Sequence, residues 1–174
     1  MGILRFIILM YFFMGFSSCS NSSFTNDDID SFISKYQNVK FSNFKGVSIT
    51  LRDSDFGDNI YMVAKQGGKF APYIVHFDKD RKVVNSIDNK LLLQRGGEDY
   101  FSEKQIKDLM VEFENYNVCN LSVDDDENVF ITPVCGANNL NLLRLNRMTN
   151  EKVVKKGNVY ELHKGNWYVN HHNK

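Results

Sequence analysis

The sequence is short of proline, cysteine and net charge, and each shortage excludes something. Two prolines in 174 residues leave no Pro-rich linker. Lysine plus arginine and aspartate plus glutamate balance at 21 each. A neutral chain has no global field with which to grip a polyanion, so nucleic acid is not an expected partner. Gly-x-Ser-x-Gly and His-Glu-x-x-His are absent, and neither Gly67-Gly68 nor Gly96-Gly97 opens a helix with phosphate-binding spacing. No cofactor is implied. No internal repeat stands out, and the length suits one domain with a substantial core. What is present in quantity is aromatic: 14 Phe and 8 Tyr, which suits a sheet-rich domain.

The one long apolar run is at the start. Phe6 to Phe16 is interrupted only by Gly15. Eleven residues of helix rise about 16 Å, half the ~30 Å hydrocarbon layer, so the run has the length of a signal-peptide core and not of a membrane span. Arg5 precedes it, and Ser17, Ser18 and Cys19 follow. Phe16-Ser17-Ser18-Cys19 resembles the lipobox of bacterial lipoproteins, with Phe16 standing where an aliphatic residue is usual. The resemblance implies that residues 1–18 are removed, that Cys19 carries the lipid, and that the protein sits lipid-anchored in the bacterial cell envelope. One acyl chain binds a membrane only marginally, so the two or three chains of that class are what make an anchor. Residues 19–26 then form a polar tether, and 27–174 a single domain.

In that domain, Ile29, Phe32, Ile33 and Tyr36 share one helical face, with Asp27, Asp28 and Asp30 in the first turn. A short helix is expected over about 27–37. Val47, Ile49 and Leu51 alternate with polar residues as a half-buried strand. Strands at 60–65, 72–77 and 82–87 continue it as an antiparallel meander. The main helix is expected over 102–116, where Ser102 and Gln105 form a capping box ahead of Ile106, Leu109, Met110 and Phe113. Further strands are expected at 118–123, 129–134 and 140–145, with a closing hairpin of 160–163 and 167–169. The expected fold is α+β: an antiparallel, meander-like sheet of about seven to nine strands, packed on one main helix and one short N-terminal helix. The face away from the helix is either solvated or curled into a partial barrel.

The candidate sites are few. With Cys19 taken by lipid, Cys119 and Cys135 remain as a pair in an oxidising compartment, and they are either bridged or two buried thiols. Asp124, Asp126 and Asn128 begin an EF-hand spacing, but Val129 stands at the glycine position and Cys135 at the final glutamate, so an exposed acidic turn is expected and no metal. Asp53, Asp55 and Asp58 form a second acidic loop. His76 and Asp78 share a strand face. They would be the centre of an envelope hydrolase assembled from scattered residues. The loop Gln94–Tyr100 offers Arg95, Glu98 and Asp99 for recognition on a rigid scaffold. Trp167 and Tyr168 point to opposite faces of their strand, one expected in the core and the other exposed as a recognition surface. The favoured reading is a non-enzymatic binding module with a protein partner, of the kind that gives immunity to an incoming toxin. The envelope hydrolase and a structural envelope component are the alternatives.

Overall fold

The computed structural model describes residues 24–171, apart from residues 56, 68, 69, 137–139, 150 and 156. The leader, Cys19 and His172 therefore lie outside the described residues. Three helices and ten strands follow one another: α1 (Asn26–Tyr36), β1 (Val47–Ser54), β2 (Asp58–Lys65), β3 (Tyr73–Asp78), β4 (Val83–Asp88), α2 (Lys90–Gln94), α3 (Glu103–Glu114), β5 (Asn120–Val123), β6 (Val129–Thr132), β7 (Leu140–Arg144), β8 (Val153–Lys155), β9 (Asn158–Lys164) and β10 (Trp167–His171). The strand count of seven to nine is corrected to ten and the two helices to three. The additions are β8, three residues without room for an alternation, and α2, five residues without room for a helical period.

The strands form one sheet in the order β4-β3-β2-β1-β5-β6-β7-β10-β9-β8. Every neighbouring pair is antiparallel. The chain meanders outward from β1 to the edge at β4. It returns through α2 and α3 to lay β5 against β1, then builds the other half.

Both long helices begin as their sequences dictate. Thr25 accepts from the Asp28 amide while Asp28 accepts from the Thr25 amide, a reciprocal capping box, and Ser102 and Gln105 repeat it at α3. Ile106, Leu109, Met110 and Phe113 are the buried stripe of α3, each stabilising by roughly 1.5–3 kcal/mol through removal from water. They pack with Ile29, Ile33 and Phe44 on Ile49, Val63, Val75 and Leu121 of the sheet, and Phe24 and Phe32 pack against the same core. Arg144 reaches into it, donating to the carbonyls of Tyr36 and Val39 at 3.2 and 2.8 Å and lying over the rings of Phe41 and Trp167. It thereby ties the chain leaving α1 to β7, adding to the Val39 amide that also meets the Tyr36 carbonyl.

The opposite face of the sheet differs between the halves. On β2 and β3 it carries half-buried Ile60, Met62, Ile74 and His76. In the other half Phe130, Leu143, Leu145, Tyr160 and Tyr168 form a second core, with Val153 of β8 packed on it. Trp167 and Tyr168 do point to opposite faces, but both faces are covered there. Trp167 is 1% exposed in the main core and Tyr168 0% in the second. The expectation of an exposed aromatic at this pair is thus corrected. The Tyr168 hydroxyl instead pins the connection to β8 by accepting from the Thr149 amide at 3.0 Å and donating to the Thr149 carbonyl.

Candidate functional site

The helix α3 overlies the sheet so that each of its ends forms a cleft. At its start, a groove of about 330 Å³ opens between β4 and α3. Val84, Asn85, Ser86 and Ile87 of β4 form one wall, and Glu103, Ile106 and Lys107 of α3 the other. Tyr73 and Phe101 provide an aromatic floor, and Asn89 and Asp99 line the groove with them.

The chain around this groove is held firmly. Gly96 and Gly97, which carry no phosphate signature, end α2 instead. The Gly97 amide donates to the Leu92 carbonyl and the Gly96 amide to that of Leu93, both at 3.0 Å, the two bonds of a Schellman cap. Gly96 has φ +71°, which favours glycine, and a Cβ on Gly97 would stand 2.5 Å from Leu92 Cδ1, so a side chain there would displace the buried Leu92. The cap turns the chain back, and Asp99 accepts from Asn89 Nδ2 through both carboxylate oxygens at 3.0 and 3.1 Å. The Tyr73 hydroxyl accepts the amides of Tyr100 and Phe101 at 2.9 and 3.1 Å, and Tyr100 donates to the Ala71 carbonyl at 2.7 Å. Of the three expected recognition residues in this loop, Asp99 lines the groove, while Arg95 and Glu98 are exposed outside its lining.

At the other end of α3, a cleft of about 280 Å³ is lined by Asn59, Tyr61, Glu114 and the Cys119–Cys135 pair. The two cysteines stand at disulfide distance, with Cα atoms 5.3 Å apart. The Tyr61 hydroxyl donates to Glu114, since a carboxylate has no proton to give, and accepts from Asn59 Nδ2 at 2.6 Å. That leaves Asn59 Oδ1 buried without a partner among the described residues. Burial first, and then the Glu114 carboxylate, raise the Tyr61 pKa. Nothing in the sequence marks Asn59, Tyr61 and Glu114 as a group, because the link spans 53 positions.

The remaining expected residues are dispersed. His76 and Asp78 lie on the sheet face away from the helices, and Asp78 accepts from the Arg81 amide at 2.8 Å, closing the β3–β4 turn. Asp124 is likewise spent on its own turn, accepting the Asn128 amide and side chain at 2.8 and 2.9 Å. Among the described residues, no three His, Cys, Asp or Glu side chains gather as a metal site. In the Asp53–Asp58 loop, Lys79 donates to the Asp55 carbonyl at 3.1 Å. No helix among the described residues is long and apolar enough to cross a membrane.

Two tyrosines beside these clefts report on the packing. Burial, followed by the neighbouring Tyr73, pushes Tyr100 up to about 12, and burial, followed by Glu112, pushes Tyr116 to about 12. A phenol whose folded pKa exceeds its unfolded value of 10.0 holds its proton better when folded. The stability it contributes is whole below pH 10.0 and is lost as pH rises toward about 12. In alkaline titration, phenolate absorbance from these residues is expected late and together with loss of structure. Ordinary titration of every tyrosine with the fold intact would contradict this.

No family model matches the chain, and no curated protein and no solved structure matches it at a significant level.

Proposed function

We propose that this chain is a lipid-anchored protein of the bacterial cell envelope whose domain binds a protein partner, as an immunity-type protein binds a toxin. The observation that carries the binding reading is the β4–α3 groove: open, with polar walls on an aromatic floor, and supported by a hydrogen-bonded loop that holds Asp99 in place. Preorganisation of this kind lowers the entropic cost of association. Cysteines at disulfide distance fit an oxidising compartment, which supports the address. The Phe16-Ser17-Ser18-Cys19 sequence supports the anchor.

Two measurements test this. Mass spectrometry of the protein from its native membrane is expected to find an N-terminal Cys19 bearing acyl chains, and the rest of the chain lighter than its reduced form by two hydrogens. An unmodified Cys19, or a chain retaining residues 1–18, would refute the anchor. Photo-crosslinking in the envelope from the positions of Asn85 and Lys107 is expected to give one discrete, stoichiometric adduct. Crosslinks that stay with lipid or solvent, and cells unaffected by neighbours when the protein is deleted, would refute the binding role.

A further inference from the structure

We propose that the β4 edge accepts an extended segment of the partner as a further strand of the sheet, with the groove seating its side chains. This rests on the binding reading and specifies how the partner is held.

The first observation is topological. β4 ends the sheet, and among the described residues no strand pairs with its outer edge. Such an edge presents a row of backbone donors and acceptors spaced to match another strand. The second is local. Side chains of a strand alternate between faces, yet four consecutive residues, Val84 to Ile87, line the same groove. A run of that kind means that the groove follows the edge of the strand and not one of its faces. The register slips between His76 and Phe77, leaving Asn85 as an extra residue, so the regular docking stretch is Ser86 to Asp88.

The third observation is what β4 lacks. Exposed edges are usually guarded by lysine, proline or a very short strand. β4 reads Val-Val-Asn-Ser-Ile-Asp, six residues with no lysine, arginine or proline, and its guards are the bulge at Asn85 and the terminal Asp88, which leave Ser86 and Ile87 between them. The other edge, β8, is guarded by being three residues long and by carrying Lys155. The sheet is thus less guarded at the end where the groove lies, since β4 is twice the length of β8 and carries no basic residue.

The lining defines the chemistry of the occupant. Asp99 and Glu103 bring two carboxylates against the single ammonium of Lys107, which is itself bound to Glu103 at 2.5 Å. The net charge is negative and complements a basic residue. Half-buried Val84, Ile87 and Phe101 offer apolar contact. Because same-face side chains recur every second residue, the segment that fits carries an apolar residue and a lysine or arginine two positions apart.

The test is selection of peptides from a random phage-displayed library on the purified protein. Enriched sequences are expected to show the apolar–x–basic or basic–x–apolar pattern. On binding, the amides of Val83–Asp88 are expected to shift and to exchange more slowly by NMR. Asp99→Asn with Glu103→Gln is expected to weaken binding by up to about tenfold at low salt, the scale of two exposed ion pairs. N-methylation of alternate backbone amides in the peptide is expected to abolish binding, whereas a purely side-chain contact would survive it. No enrichment, binding mapped away from β4, or indifference to N-methylation would each overturn the proposal. A partner crosslinked in cells through a different surface would also overturn it while leaving the binding function standing.

Discussion

Replacing Trp167 by alanine is expected to cost about 3–5 kcal/mol, a large part of the margin of a domain this size. The indole is 1% exposed and meets Phe32 edge-on with centroids 6.4 Å apart. The Arg144 guanidinium lies 5.7 Å from its centroid, so the cavity would also open beside a half-buried charge. The indole Nε1 has no hydrogen-bond partner among the described residues, so the loss is one of packing and not of a polar contact. Trp167→Phe is therefore expected to recover most of the stability, since it refills the apolar volume and removes the orphan donor. Chemical denaturation followed by circular dichroism checks both. A Trp167→Ala variant as stable as the parent would mean that the main core does not continue to β10.

The second large effect is expected from the cysteine pair. Sixteen positions separate Cys119 and Cys135. Closing a loop of that length removes unfolded-state entropy equivalent to about 3 kcal/mol in the loop-closure model. The pair also stands where the halves of the sheet meet. The Cys119 amide donates to the Thr132 carbonyl, and the Cys119 carbonyl accepts from the Leu51 amide at 2.7 Å. Reduction, or Cys119→Ser with Cys135→Ser, is expected to lower the melting temperature by roughly 6–12 °C for a domain of this length. A melting temperature insensitive to reductant would show that the thiols are not bridged.

How much of this was legible depended on the range of the signal. The main helix was written locally. Ser102, Gln105 and four apolar residues on one face predict it, and the structure places a capping box and a buried stripe on those same residues. The β1–β4 meander was legible for the same reason, because alternation and turn residues lie within a few positions of each other. The five residues of α2 were too few to show a period, although Gly96-Gly97 after Leu91, Leu92 and Leu93 was the signature of its cap. Trp167 and Tyr168 show where local reading ends. Alternation assigns them to opposite faces, but only the packing of Val153 and Tyr160 on the second core makes both faces dry. The edge position of β4 is more remote still. It follows from the order of strands in space, and no residue within Val83–Asp88 encodes that order. Asn59, Tyr61 and Glu114 meet only because α3 ends over β2.

The way α1 begins sets a limit on reach. Phe24 packs against the core, and the Thr25–Asp28 box fixes the next turn, so the chain is already tied to the folded body at residue 24. Cys19 is five residues earlier. Five extended residues span at most about 18 Å. With Cys19 acylated, the domain would be moored on a leash no longer than its own main helix, since the twelve residues of α3 also rise about 18 Å. Such a protein cannot patrol the space beyond the membrane. So anchored, it would meet only what comes down to the lipid surface, where confinement would raise the effective concentration of any partner that arrives there.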